Sequence, residues 1–391
     1  MTQTTNKENY FFSQPHQPFF ILGIVNAIVM MLIFALSYKG IFSINISSLG
    51  FHTYSLIFTM FVNVFTGFIF TTYPRFCQAQ TIEKAFYIKI FFANLVGSIL
   101  FLYGTFTEIN IMKLGMIVLL ISQAFIVYKL HTIYKTGKAV DKLDAFWILV
   151  SNYFGLLGHI LFIASTFSFS LESFSIKLSF YMYLIFLTFT VGQRMIPFFS
   201  HSFAIKSKKL VVIVFSLFLL KTIFSSFDIK IAEILIDLVL GLYLLREFIN
   251  WKFTPLSEPA ILWVLHLGLF WLPAALFLSA LSLSAELYLG TSFYFLGVHL
   301  LAIGFLTTIL IGFGTRVTLG HSGQAPDADK FAVGIFIFIQ AVVILRTLFS
   351  INVAAGWGLN FLFDISFTAW LVLFILWGAR FAKVLIFGTK L

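Results

Sequence analysis

Residues 299–323 read HLLAIGFLTTILIGFGTRVTLGHSG. The stretch begins as an apolar run that carries His299, and it ends in a polar group that includes Arg316 and His321. Placing a histidine in hydrocarbon is costly, so a histidine within a membrane span indicates a functional site. We expect His299 to lie inside a bilayer, and Arg316 and His321 to lie where the helix leaves it.

The composition of the whole chain agrees with a membrane protein. Of its 391 residues, 60% are hydrophobic and only 10% are charged, which a soluble domain of this length does not tolerate. Spans in lipid must satisfy their backbone groups internally, and the alternation of strands is absent, so the spans are helices. The sequence predicts an all-α polytopic membrane protein in which residues 1–391 form a single integral membrane domain. The twelve predicted transmembrane helices are 18–37, 51–73, 85–104, 109–130, 144–165, 173–193, 208–225, 231–250, 259–283, 291–313, 330–350 and 359–386.

Lysine and arginine predict the orientation. Basic clusters fall at one side of the predicted helices, whereas the other side carries scattered single charges, and the basic side is cytoplasmic. Both termini are therefore expected in the cytoplasm, with the first helix an uncleaved anchor. This bias and contact with anionic lipid account for the net charge of +10, so the bilayer is the expected partner and nucleic acid is not. The main clusters are Lys129, Lys135, Lys138 and Lys142, and Lys206, Lys208 and Lys209.

Cysteine chemistry is limited to Cys77. A single cysteine excludes an internal disulfide and any site built from several thiolates, such as an iron–sulfur cluster. Cys77 is expected to be structural, so metal chemistry in this chain depends on histidine.

The histidines fall at two predicted depths. The outer set is His52, His159 and His299, and the inner set is His201, His266 and His321. His16 and His131 are expected in a solvated tail and a solvated loop. A helical path from His299 to His321 rises roughly 33 Å, so these two residues cannot share a mononuclear site.

Imidazole is the usual axial ligand of b-type haem and also binds copper. His52 and His299 share a depth and a side, so they are predicted as a ligand pair from two helices. His159 is expected to make an interhelical hydrogen bond. For His266 and His321, a metal-binding role and a role in binding substrate both stay open.

Two arginines lie at the predicted cytoplasmic edge. Arg194 and Arg316 could each hold a haem propionate or another anion through two hydrogen bonds, or could serve as positive-inside anchors. Asp237 and Asp364 fall inside predicted spans without a histidine partner, and Asp237 could instead pair with Lys221 or Lys230. No residue is assigned as catalytic.

Several blocks of the sequence resemble the NnrS family. They are PFF at 18–20, FHTYSLIF at 51–58, TYPRF at 72–76, GQRMIPFFS at 192–200, LHLGLFWL at 265–272 and RVTLGHSG at 316–323, in the order of the family. Members are polytopic bacterial membrane proteins linked to nitric oxide metabolism and resistance, reported to contain haem and copper. The resemblance implies a location in the bacterial cytoplasmic membrane.

The resemblance also implies site residues. The family's histidines fall on His52, His266, His299 and His321, and its arginines fall on Arg194 and Arg316. In the helix 2 block the family usually has Trp-His-x-His-Glu-Met, but here Tyr54 and Ser55 replace the second histidine and the glutamate. Gln193 and Gln324 stand where the family often has arginine. Haem b that uses His52 is thus expected, whereas the case for copper is weakened.

The predicted layout distantly resembles subunit I of haem–copper oxidases, with haem-ligand candidates on helices 2 and 10. It lacks the adjacent histidines on helix 7 and the second histidine on helix 10. We therefore expect an NnrS-like haem-binding protein in nitric oxide metabolism or resistance to nitrosative stress, supplied with electrons by a quinol or another donor. A haem/copper redox activity on nitric oxide is one form of this role, and a quinone-interacting electron carrier is another. The alternative is a proton-coupled secondary transporter of a small anion or metabolite that uses His266, Arg194 and Arg316. The sequence assigns no oligomeric state.

Overall fold

Twelve long helices make up the part of the fold that the structure describes. A computed structural model describes residues 10–167, 171–202, 206–253, 255–256 and 259–391, and the regular structure within these ranges is helical. A short 3₁₀ turn at Tyr10–Phe12 precedes the first helix. The helices are α1 (His16–Tyr38), α2 (Ser48–Phe76), α3 (Lys84–Phe106), α4 (Ile109–Thr136), α5 (Leu143–Ser165), α6 (Glu172–Phe199), α7 (Leu210–Ser226), α8 (Lys230–Asn250), α9 (Ala260–Leu289), α10 (Leu296–His321), α11 (Lys330–Ala355) and α12 (Phe361–Phe387).

The helices confirm a polytopic membrane protein. Ten of those described are long and apolar enough to cross a bilayer. The exceptions are α7, which is apolar but only 17 residues long, and α8, which carries Glu233 and Asp237 on its buried side. Twelve membrane crossings and cytoplasmic termini therefore stay predictions.

Helix α10 differs most from its predicted bounds. It begins at Leu296 because Tyr294 and Phe295 adopt left-handed backbone angles, with φ of +40° and +59°. It continues to His321 rather than ending at residue 313, so the predicted end was wrong. Arg316 and His321 thus belong to the last two turns of α10, where helical geometry fixes the direction of each side chain.

Three helices occupy the centre of the bundle. In the most apolar stretches of α2 and α6, 83% of residues are buried, and in α10 72% are, against 33% in α11 and α12. The three helices contact one another through aromatic rings. Phe65 of α2 meets Tyr183 of α6 at 5.9 Å between ring centroids, and Phe313 of α10 lies 5.3 Å from Phe68 and 6.2 Å from Phe199.

Each central helix contains a π-helical segment. These segments are Ser55–Phe61 in α2, Leu178–Ile185 in α6 and Leu300–Thr307 in α10. In α10 the widened turn is supported by side chains, because the Thr307 hydroxyl donates to the Ala302 carbonyl five residues earlier, at 2.7 Å. π-helical turns are rare in proteins and occur frequently at functional sites. In α2 and α10 the π-helical segments directly follow the turns that carry His52 and His299.

Two lysine–aspartate pairs connect neighbouring parts of the bundle. Lys221 of α7 donates to Asp237 of α8 at 2.7 Å, and both side chains are fully buried. Lys39 pairs with Asp364 at 2.8 Å at an exposed end of the bundle. The predicted partnership of Asp237 with a lysine is therefore confirmed, and neither aspartate lies with the histidines.

Candidate functional site

His52 and His299 come together between α2 and α10. Each lies in the early turns of its helix, and their ring centroids are 6.3 Å apart with the ring planes 21° from parallel. Ser47 caps the start of α2, where its Oγ accepts a hydrogen bond from the Gly50 N–H at 3.0 Å. Phe34 of α1 packs against the His52 ring at 4.2 Å. The two histidines predicted as a pair therefore face the same space from two central helices.

The hydrogen bonds of His299 converge on its Nδ1 atom. The Phe295 carbonyl and the Arg346 guanidinium both lie 3.0 Å from Nδ1. When Nδ1 carries the proton, it donates to the Phe295 carbonyl, and the Nε2 lone pair is available to a metal. When Arg346 instead donates to Nδ1, Nε2 carries the proton. The tautomer of His299 thus decides whether this residue can act as a ligand.

The carbonyls that meet Arg346 and His299 come from a strained turn. Tyr294 and Phe295 are consecutive non-glycine residues in the left-handed region, where bulky side chains are disfavoured. The Tyr294 carbonyl accepts from Arg346 Nη2 at 3.2 Å, and the Tyr294 hydroxyl lies 3.1 Å from that of Tyr38. Burial raises the pKa of the Tyr294 phenol to about 12, and the hydrogen bond with Tyr38 adds to this rise. The phenol therefore stays neutral near pH 7.

The separation of the paired imidazoles can be compared with that of two histidine ligands of one haem iron. Two imidazoles on opposite sides of one iron have ring centroids about 6 Å apart, since each metal–nitrogen bond is about 2 Å long. The separation of His52 and His299 matches this value. Arg346 adds a cation for which no carboxylate partner occurs among the described residues, and arginine suits the propionates that haem carries.

Tyr54 points to a different partner. Its hydroxyl lies 2.9 Å from His159 Nε2, and His159 Nδ1 lies 2.7 Å from Gln123 Oε1. All three side chains are buried, in α2, α5 and α4 respectively. The interhelical hydrogen bond expected of His159 is confirmed. Because the Tyr54 hydroxyl is engaged there, it is not directed to the pair formed by His52 and His299.

His266 and Arg194 lie in separate polar clusters. His266 Nε2 is 2.7 Å from Ser200 Oγ, and Phe253 stacks on the imidazole at 4.3 Å. Arg194 donates to Asp144 at 2.8 Å and lies over the Phe76 ring. The structure thus brings each residue to its own partners, and the predicted role of either one in binding a metal or a propionate stays a prediction.

The cluster around Arg194 includes a lysine. Lys206 donates to Gln193 Oε1 at 2.8 Å, and Gln193 donates in turn to Asp144 at 2.8 Å. Burial lowers the pKa of Lys206, although the carboxylate of Asp144 opposes this effect. Gln193, which stands where the resemblance expects arginine, therefore links Lys206 to the carboxylate that Arg194 contacts directly.

His321 pairs with His16 at the end of the bundle opposite His52. Their ring centroids are 4.8 Å apart, and His16 is only 1% exposed. The expectation that His16 lies in a solvated tail was wrong, because His16 is the first residue of α1 and packs against α10. Arg316 points elsewhere, with its guanidinium 4.0 Å from the Phe199 ring centroid.

The remaining histidines lie apart from both pairs. His201 follows α6 and is exposed. His131 lies in the last turns of α4 rather than in a loop, and its Nδ1 is 2.7 Å from the Tyr153 hydroxyl. Among the described residues, no three His, Cys, Asp or Glu side chains form a metal-binding group. Within the described residues, the candidate metal donors are therefore the two histidine pairs, His52 with His299 and His16 with His321.

An apolar cavity separates the two histidine pairs. It lies between α1, α2, α10 and α12, the first three of which also carry the paired histidines, and on α10 its walls fall between His299 and His321. Its apolar walls include Phe20, Ile24, Met60, Leu310, Phe374 and Trp377. The two pairs therefore form two centres rather than one.

Sequence analysis missed two residues of these centres. Arg346 was overlooked although it is an arginine inside a predicted span, a position that indicates function. His16 was assigned to the tail, although Pro18 two residues later is typical of the first turn of a helix. Both signals were present, but the partner of each residue becomes apparent only in three dimensions.

The chain was compared with known protein families and with curated proteins. The family model described as NnrS protein matches residues 10–387, which include both histidine pairs and Arg346. None of the curated proteins compared with the chain matches it.

Proposed function

The chain belongs to the NnrS family, and from this premise we propose that it binds haem between His52 and His299 and acts in nitric oxide metabolism or resistance to nitrosative stress. The observation that carries the proposal is the pairing of these two imidazoles across α2 and α10 at 6.3 Å. We further propose that the protein resides in the bacterial cytoplasmic membrane.

The chain's own residues prepare each ligand. In the tautomer in which His299 Nδ1 donates to the Phe295 carbonyl, the Nε2 lone pair would be available to the haem iron. Phe34 packs against His52 and limits rotation of its ring. Arg346 lies beside His299, where it would pair with a haem propionate. Bound haem supplies iron that exchanges single electrons and has affinity for nitric oxide.

Copper is supported less well than haem. The resemblance implies copper, but Tyr54 and Ser55 replace two of the family's side chains in α2. The Tyr54 hydroxyl is engaged with His159, and a phenol held in this way is a poor substitute for imidazole. We propose haem as the principal cofactor and a quinol or a similar donor as the source of electrons.

Optical spectroscopy and haem analysis test the proposal. Protein purified from membranes is expected to show a haem Soret band, which His52→Ala and His299→Ala each reduce or shift. His131→Ala is the matched control, because His131 is hydrogen-bonded to Tyr153 on the periphery of the bundle. Wild-type protein without haem, or a spectrum unchanged in both ligand variants, would overturn the proposal. Absence of haem together with proton-driven uptake of an anion into vesicles would favour the transporter.

A further inference from the structure

We infer that His16, Thr318, His321 and Arg75 form a binding site for a small oxyanion at the end of the bundle opposite the proposed haem. The site is built from α1, α2 and α10. It is distinct from the pair formed by His52 and His299, since His299 and His321 lie at opposite ends of α10.

Buried donors without partners indicate that something binds here. His16 and Thr318 are each 1% exposed. Neither His16 Nδ1 nor Thr318 Oγ1 has a hydrogen-bond partner among the described residues. Leaving such groups unpaired is unfavourable, so native proteins rarely do so without a ligand or water. Thr318 precedes His321 by three positions, which places both side chains on one face of α10.

The local charge favours an anion over a metal ion. His16 begins α1, a helix of 23 residues whose preceding Pro15 offers no side-chain cap, so the positive end of the helix dipole lies at the site. Arg75, in the last turn of α2, lies near His321 and makes no ion pair with any described carboxylate. A cation would be repelled by both features, and only two imidazoles are available to ligate it.

The enclosure of the site favours a small free ion. His16 and Thr318 are buried and His321 is half-buried, so a bulky phospholipid headgroup, which presents phosphate oxygens, has poorer access to these side chains than a small free ion. A planar oxyanion such as nitrate or nitrite can accept hydrogen bonds from imidazole, hydroxyl and guanidinium groups together. These two ions are oxidised products of nitric oxide, and this identification of the class rests on the proposed function.

Nitrate is the probe, because it has little affinity for haem iron. Isothermal titration of the full-length protein in phospholipid-free detergent is expected to show one nitrate bound per chain. His16→Ala and Thr318→Val should each weaken binding by at least about tenfold, since each removes one hydrogen bond to a charged ligand. Arg75→Lys should retain more affinity than Arg75→Ala. His131→Ala is the control and should bind as the wild type does.

The controls separate this site from the haem. The variants at His16, Arg75, His131 and Thr318 must retain the haem content and melting temperature of the wild-type protein, and Thr318→Val supplies a mild change if His16→Ala fails to fold. Nitrate binding that persists in His52→Ala shows that the oxyanion site stands even if the proposed haem ligation fails. The inference is overturned if the wild type binds no nitrate, if Thr318→Val and His16→Ala bind it normally, if only anionic phospholipid binds, or if a metal ion is found there that His16→Ala removes.

Discussion

The guanidinium of Arg346 lies 3.0 Å from Nδ1 of His299, and the carbonyls of Tyr294 and Phe295 bind these two side chains from a single left-handed turn. A cation, an imidazole and two backbone acceptors therefore form one unit at the start of α10. This unit makes the properties of the proposed haem depend on residues that do not ligate it.

Replacement of Arg346 by alanine is expected to lower the reduction potential of the bound haem. Removing a positive charge near the iron favours the oxidised state, by on the order of 50 mV for a partly screened charge. Redox titration of the haem band measures this shift. Arg380→Ala is the control, because Arg380 pairs with Asp329 away from His299. An equal shift in both variants, or no shift in Arg346→Ala, would argue against the position assigned to Arg346.

The left-handed turn predicts opposite effects of two substitutions at Phe295. Phe295→Gly should keep haem, since glycine adopts a positive φ freely and the backbone carbonyl that meets His299 remains. Phe295→Val should lose haem, because a β-branched residue strongly resists this conformation. The haem-to-protein ratio after purification distinguishes them. Full haem content in Phe295→Val would show that the turn does not position His299.

The buried pair of Lys221 and Asp237 is expected to matter for stability rather than for cofactor binding. Lys221→Met leaves an unpaired buried carboxylate and should destabilise the fold by about 3–5 kcal/mol. The exposed pair of Lys39 and Asp364 is the comparison, and Lys39→Met should cost about 0–1 kcal/mol. Unfolding in denaturing detergent measures both. Equal losses of unfolding free energy in Lys221→Met and Lys39→Met would mean that the burial of Lys221 and Asp237 adds nothing to the cost of breaking their pair.

Cysteine labelling tests the predicted orientation. Ile41 and Val140 are exposed, at 63% and 105%, in loops predicted to face opposite sides of the membrane. In right-side-out vesicles an impermeant maleimide should label Ile41→Cys but not Val140→Cys until the vesicles are permeabilised. Cys77 should not interfere, because it is buried and burial raises the pKa of its thiol. Labelling of Val140→Cys but not of Ile41→Cys in sealed vesicles would contradict the predicted orientation.

The sequence was most informative about helices and about the outer histidine pair. Apolar windows place all twelve helices within a few residues of most bounds because hydrocarbon imposes both length and composition. The end of α10 was mistaken because Arg316, Thr318 and His321 look like a polar loop, whereas in the fold they remain helical. The π-helical turns leave no periodic signal, since the sequence around Thr307 and Thr308 is otherwise apolar on every side of the helix.

Partners across helices could not be predicted in the same way. His321 was grouped with His266 by depth, but they lie in different clusters because side-chain direction is set by rotation about each helix. In the structure, His16 contacts His321 and Arg346 contacts His299. Neither contact follows from the depth of the residues along their helices. Depth along the membrane is read from sequence order, whereas rotation depends on packing against neighbouring helices.

Near-infrared magnetic circular dichroism of the oxidised protein tests the central claim most directly, since it identifies the axial ligands of haem iron. Ligation by His52 and His299 predicts a low-spin bis-imidazole signal in the wild type and in His131→Ala, and its loss in both His52→Ala and His299→Ala. A wild-type signal from any other ligand pair, or a bis-imidazole signal that survives in either ligand variant, would contradict it.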